Sequence, residues 1–354
     1  MSALILVTCD SGAGHLKQEK RADRIRRFTH RLVAGPVPAD GPPETFFQRQ
    51  RALYEADNLY SEPHWFDFER PGGSLLQRIW TRLPDECRDH DRIELWIDPD
   101  PNAQLILVQL LDWLGALPDI APRLWLKLSD SPLGERRPGD WVLPPRPVEA
   151  ADLALARRAW SAFGAPTPES WSSLRDDPET QRLPGLVSAI ERTLRELPDG
   201  TGLGATARRI LALTEREFWW IEAMQRGPGQ ADRVLPEQDR VLQKLVLRTL
   251  RSGDRVPLWY AEIEQLICEL AAAPVPALSG VTERQAGLDL FQDQDRQKRF
   301  WESPVRLTYF GADLVAGTED WSRHNPVCRW LGGTRLTNDR LWRWETASKQ
   351  LIAP

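Results

Sequence analysis

Glu94-Leu95-Trp96-Ile97-Asp98-Pro99-Asp100-Pro101-Asn102-Ala103-Gln104 carries an apolar strand into two carboxylates separated by one proline, and from there directly into an apolar helix. Such a junction belongs to a parallel α/β sheet, where side chains beyond the carboxyl edge of the strands leave the packed core and meet ligands. Upstream, residues 3–9 read as a buried first strand, with Cys9-Asp10-Ser11-Gly12-Ala13-Gly14 as its exit loop. The spacing predicts a helix from Gly14 through Ile25 and a second strand over 25–34. Gly35-Pro36-Val37-Pro38 should end that strand, because proline removes a ladder donor. Phe46, Phe47, Leu53 and Tyr54 recur at helical spacing, and further elements are expected as a helix over 73–83, a strand over 92–97, a helix over 104–114 and a strand over 124–128. The alternation implies an α/β fold: an open, mostly parallel sheet with helices on both faces, filling residues 1–143. Leu105, Ile106, Leu107, Val108, Leu110 and Leu111 leave almost no polar stripe, so the helix over 104–114 is expected to be buried on most sides.

Pro144-Pro145-Arg146-Pro147 reads as a stiff hinge into a helical linker subdomain over 144–200, with amphipathic helices over 148–163 and 183–197. Residues 201–354 form a mainly helical region with a winged-helix-like end. Its helices are expected over 205–213, 215–224, 238–250 and 257–272, followed by an apolar ribbon over 305–311 and 314–317. The late segments Arg329-Trp330-Leu331-Gly332-Gly333-Thr334 and Leu341-Trp342-Arg343-Trp344 alternate large apolar and basic groups. As a hairpin they would either stack bases or close the protein by burying their tryptophans.

The 354 residues are 27% charged and 41% hydrophobic, with a formal net charge of −5. That balance describes a soluble chain not built around a nucleic-acid field, although a local basic face remains compatible with it. No apolar run approaches the length of a membrane span, and the opening Met1-Ser2-Ala3-Leu4-Ile5-Leu6-Val7 reads as a strand and not as a signal peptide. Cys9, Cys87, Cys268 and Cys328 form no CxxC pair, which suits a reducing cytoplasm and no zinc knuckle. Most of the sixteen tryptophans are expected as core filler.

Asp98 and Asp100 converge only if the chain turns at Pro99. Together they could hold ribose hydroxyls or a divalent cation, or work as an acid/base pair. The alternative is a solvent-facing turn whose residues cap the next helix. Glu94, inside the strand, must lie at a wet edge or face a basic partner. The Asp10-Ser11-Gly12-Ala13-Gly14-His15 loop is the second candidate: small residues let backbone amides close on an anion, with His15 as acid/base. The glycines fall only at 12 and 14, so the dinucleotide fingerprint is not met, and a tight capped turn explains the loop equally. Lys17, Lys20, Arg21, Arg24, Arg26, Arg27 and Arg31 give a basic run that either steers anions or is a solvated face. No HExxH, GxSxG or P-loop pattern occurs.

The chain resembles the bacterial domain of unknown function 1835 family. The likeness rests on the opening strand with Asp10-Ser11 and Gly14, the Gly35-Pro36-Val37-Pro38 stop, Glu94-Leu95-Trp96 with Asp98, Asp100 and Gln104, the Leu153–Trp160 helix, and the late tryptophan–arginine segments. It implies an α/β amino-terminal domain joined to a mostly helical remainder and carries no activity. Cys9 stands where members show glycine, and Asp98-Pro99-Asp100 where members show a Glu-His-Asp type sequence. Asp98-Pro99-Asp100-Pro101 also superficially resembles the acidic segment of the topoisomerase-primase fold, with Asp10 in place of that site's glutamate.

Two functions follow as expectations. In the first, Asp98, Asp100 and His15 act on an anionic metabolite or nucleotide held by Asp10, Ser11, Gly12, Gly14 and Glu94, with no resident metal assigned and the cofactor unknown. In the second, residues 201–354 contact DNA or a protein, and the amino-terminal domain senses or scaffolds.

Overall fold

The computed structural model describes residues 2–38, 40–57, 75–129, 145–225, 242–251, 256–287, 290 and 292–354. Pro144 of the expected hinge, His64, and residues 238–241 of an expected helix lie outside them. The chain divides into two compact units, residues 1–193 with 330–335, and residues 194–329 with 336–354.

The first unit is built on a five-stranded sheet. Its strands are β1 (Ala3–Val7), β2 (Arg24–Arg27), β4 (Arg92–Ile97), β5 (Leu124–Leu128) and β6 (Arg146–Pro147), in the order β2-β1-β4-β5-β6. All pairings are parallel except β5 with β6. The sheet is therefore mixed α/β and mostly parallel, as expected. From β1 the chain passes through helix α1 (Asp10–Gln18) to β2 on one side, then returns past β1 to lay β4 on the other. Right-handed crossovers running in opposite directions place α1 and α4 (Pro101–Gly115) on opposite faces. On the α1 face Ala13 and Leu16 pack against Ile5, Val7 and Trp96.

Two local expectations fail for identifiable reasons. The segment after β1 is not a glycine loop, because α1 begins at Asp10. Cys9 caps it, its sulfur accepting from Gly12 N at 3.3 Å. The helix then ends at Gln18, so that β2 begins at Arg24. Pro36 does not stop a ladder either. Gly35–Pro36 forms β3, pairing in parallel with β9 (Cys328–Gly332) at the edge of a small sheet completed by β10 (Thr334–Thr337). Proline is tolerated there because an edge strand needs donors on one side only.

Thirteen of the fifteen residues of α4 are buried. Its apolar residues meet the sheet and α5 (Ala150–Phe163), where Gly115 leaves no room for a Cβ against Leu153. Trp113 stacks on Trp80 of α3 (Leu75–Arg88), with ring centroids 4.5 Å apart. Trp80 in turn meets Phe28, His30, Phe46 and Phe47 edge-on or tilted. The polar residues of α4 are bonded with equal specificity. Asn102 accepts from Leu32 N at 2.7 Å and donates to His30 O at 2.8 Å, while Gln109 Oε1 lies 2.7 Å from His30 Nε2. Residues 145–193, which include α7 (Pro184–Leu194) up to Thr193, group with the sheet, where the sequence suggested a linker subdomain over 144–200.

The second unit contains α8 (Ala205–Gln225), α9 (Leu242–Arg251) and α10 (Tyr260–Ala272), with the antiparallel pair β7 (Leu278–Ser279) and β8 (Arg306–Leu307). The apolar ribbon expected over 305–317 is replaced. After β8, Thr308 caps a helix over Tyr309–Ala316, accepting from Gly311 N, and Gly317 ends it with a left-handed φ of 74°. The Trp-Arg-Trp segment pairs as β11 (Arg343–Glu345) with β12 (Gln350–Ile352), not with residues 329–334. Trp342 and Trp344 are buried, and Arg343 donates to Asp320 at 2.7 Å. Burial thus accounts for Trp342 and Trp344, whereas Trp330 is only half-buried. No helix among the described residues is long and apolar enough to cross a membrane.

Removing the Asn102 amide strands a buried N–H and a buried C=O. Each such group costs about 1–3 kcal/mol. Asn102→Ala should therefore lower the urea midpoint of the first unit with little change in m-value. In the second unit, burial pushes the Glu264 carboxyl up to about 7, against a hydrogen bond from Trp301 Nε1 at 3.0 Å. A carboxyl with a folded pKa above its unfolded value favours folding while protonated. Its cost develops as pH rises from the ordinary glutamate range through 7, reaching at most about 3 kcal/mol. Denaturant titrations from pH 5 to 8 should show this loss, and Glu264→Gln should flatten it.

Candidate functional site

The strand order reverses between β1 and β4, so their carboxyl ends border the crevice where open α/β sheets hold ligands. The residue after each strand's exit spans this crevice. Thr8 Oγ1 donates to Asp98 Oδ2 at 3.2 Å, and Asp98 N lies 3.4 Å from the same hydroxyl. The Asp98 side chain is buried, with the residue only 4% exposed. Gln104 Nε2 donates to Asp98 O at 2.8 Å and so anchors the loop to α4. Beside this pair sits the Cys9 thiol. Burial raises its pKa well above the ordinary thiol range, reinforced by the charge of Asp98 and a hydrogen bond to it, and more weakly by Asp100. The Gly12 amide pulls the other way.

The two loops singled out from sequence thus meet, but their residues divide. Asp98 lies at the centre. Asp100 is the cap of α4, accepting from Ala103 N at 3.1 Å. The two aspartates therefore do different work. Asp10 is exposed and paired with Arg27 at the end of β2. Ser11 is exposed in the first turn of α1, and Gly12 is buried with its amide on the Cys9 sulfur. Gly14 is exposed and has space for a Cβ, so no close backbone approach requires glycine there. His15 is half-buried in the following turn, its enclosed Nδ1 without a hydrogen-bond partner, and no hydrogen bond joins it to Asp98 or Asp100 among the described residues. Glu94 stands apart. It lies within β4 four residues before Asp98, accepting from Trp96 Nε1 at 2.8 Å and pairing with Arg92 at 2.6 Å. That pairing answers the question of how a mid-strand carboxylate is stabilised.

Three residues on or near this face were not read as site residues from sequence. Thr8 and Cys9 carried no motif; their signal was position alone, directly after the first strand. Lys127 is the exception with a readable cue, a lysine inside the apolar strand Leu124–Leu128. It is 5% exposed and pairs in register with Trp96, its Nζ 5.6 Å from that ring's centroid. Parallel register puts it on the same sheet face as Asp98.

Chemically, the crevice offers a carboxylate held by hydroxyl and thiol donors next to the amino end of α1. Four amides at a helix start have no intrahelical acceptor, and the helix dipole there favours negative charge. Gly12 spends its amide on the Cys9 sulfur and Ala13 its amide on the Cys9 carbonyl. Among the described residues no group of three or more His, Cys, Asp or Glu side chains is placed to hold a metal ion. The magnesium-site likeness therefore lacks its third carboxylate, since Asp10 is engaged by Arg27. Cys9 is likewise not an activated nucleophile, because nucleophilic cysteines carry lowered pKa values.

No protein-family model matches this chain, and no curated protein matches it.

A thiol held protonated by burial and by Asp98 reacts slowly with alkylating agents. Peptide mass spectrometry after iodoacetamide treatment of the native protein at pH 8 should find Cys9 modified at least roughly tenfold more slowly than in the denatured chain. Rapid native labelling would contradict the placement of the thiol.

Proposed function

We propose that the first unit binds an anionic metabolite or nucleotide at the β1/β4 crevice. Asp98 receives the ligand's hydroxyl or amino hydrogens, and the first turn of α1 faces its negative charge. The observation that carries this reading is the Thr8–Asp98 pair at the point where strand order reverses, with Asp98 nearly enclosed. A buried carboxylate is costly unless bonded, and here its donors are small and sit at the mouth of the sheet. Any proton transfer to or from the ligand falls to Asp98. Asp100 serves α4, and His15 is set one turn into α1. Four free thiols support a cytoplasmic setting.

A second reading, contact with a protein partner through residues 201–354, is favoured by Trp259 and Tyr260 at the start of α10. They are 56% and 41% exposed, with ring centroids 6.1 Å apart. DNA is disfavoured as that partner, because the accessible side of α10 carries Glu262 and Glu269 and would repel phosphates.

The test is a thermal-shift panel of mononucleotides, dinucleotides and phosphorylated sugars against the full chain and Asp98→Asn. At least one compound should raise the wild-type Tm. The same compound should shift the variant by less than half as much, while the unliganded midpoints stay close. A panel that shifts neither protein, or shifts both equally, would remove the crevice as a binding site. Adding Asp100→Asn should change little further, because asparagine caps a helix about as well as aspartate.

A further inference from the structure

Four cationic residues line a depression at the opposite end of the same sheet. It has a volume of about 370 Å³ and is lined by Lys17 of α1, by Lys20 just past the end of that helix, by Asp23, and by Arg24, Ile25 and Arg26 of β2. Leu4 pairs with Arg24 and Val7 with Arg27, so the start of β2 lies beside the start of β1, away from Thr8 and Asp98. β2 is the outermost strand on this side of the sheet.

The charges do not balance. Arg24 and Arg26 both donate to the single carboxylate of Glu86, at 3.0 and 2.6 Å. Asp23 is turned to the backbone, accepting from Ala3 N at 2.8 Å. Lys17 and Lys20 have no carboxylate partner among the described residues. Two carboxylates thus face four cations, leaving a local charge of +2. Lys20 is also held in the left-handed region, with φ 52°, where it closes α1. Its amide bonds Lys17 O at 3.2 Å, and Arg21 N bonds Leu16 O at 3.2 Å. Glycine enters that conformation more readily than any other residue. Charges on an edge strand discourage pairing with other sheets, which explains arginines on β2. It does not explain why Lys17 and Lys20 line the same concave surface.

We propose that this depression binds the multiply charged phosphate group of a small molecule, such as a pyrophosphate or triphosphate moiety. Its volume falls within the usual range of small-molecule sites, roughly 300–1,000 Å³. Arginine forks match phosphate oxygens and lysines supply movable point charges. A polynucleotide would need an extended basic stripe, whereas this patch is bounded by Glu19 and Glu86 on a chain of net charge −5. The site is separate from the crevice beside Asp98 and stands without it.

Isothermal titration of the full chain at low ionic strength, with sodium tripolyphosphate, pyrophosphate and sulfate, tests the proposal. Tripolyphosphate should bind at least roughly tenfold more tightly than sulfate, and added salt should weaken it. Lys17→Ala with Lys20→Ala should weaken tripolyphosphate by roughly tenfold or more. Lys298→Ala with Arg306→Ala, which removes the same charge elsewhere, should change it by less than about twofold. Absence of tripolyphosphate binding overturns the proposal. So does equal weakening by the two double variants, which would report the overall field alone. Loss of binding in Asp98→Asn with retention in the Lys17/Lys20 variant would also overturn it, by moving the phosphate to the crevice.

Discussion

The near-total burial of α4 is the constraint on which the first unit depends. A helix enclosed on almost every side has little water to satisfy its polar groups, so most take a fixed protein partner, and Gln104 Oε1 is left without one. Asn102 finds the backbone of residues 30–32, Gln104 the carbonyl of Asp98, and Gln109 the ring of His30. These bonds turn an apolar packing element into a positioning device. They lock the segment after β2 and the loop after β4 in one arrangement. The stacked Trp80 and Trp113, ringed by Phe28, Phe46 and Phe47, fill the space between those anchors with large side chains that tolerate little displacement.

The geometry of the crevice follows from the same constraint. With the loop after β4 tied to α4, Asp98 is drawn inward toward Thr8 and Cys9. Asp100, one residue past Pro99, is committed to the amide of Ala103. The pair of carboxylates that looked equivalent along the chain is split into a buried acceptor and a helix cap. A comparable division separates the cations. Arg27 neutralises Asp10 at the carboxyl end of the sheet, whereas Lys17, Lys20, Arg24 and Arg26 gather at its amino end. One short helix therefore carries opposite electrostatic tasks at its two ends.

Much of this was legible in the chain. β1, β4 and β5 showed as apolar runs bounded by polar turns, α5 as a helical periodicity, and α4 as an apolar run too long for a strand. What escaped were features set by single atoms or distant partners. Cysteine is not a preferred cap, so the start of α1 at Asp10 had no residue-type signal, yet its sulfur accepts an amide as a serine oxygen would. Pro36 stopped a ladder by local rule but joined one because its partner strand lies near the other end of the chain. Residues 305–317 were apolar enough for a ribbon, and the Thr308 cap with Gly317 closed them into a helix.

The sequence by itself determined the class of fold, the identity of the buried helix and the two loops that border the crevice. Those depend on the periodicity of apolar residues, which every position contributes to and few alternatives satisfy. Only the tertiary structure decided which of the acidic residues face one another, because neighbours along a chain diverge wherever hydrogen-bonding demands differ. It likewise decided that Thr8 and Cys9 stand beside Asp98, and that Lys127 lies on the same sheet face. Parallel register, and not sequence distance, sets what stands next to what across a sheet.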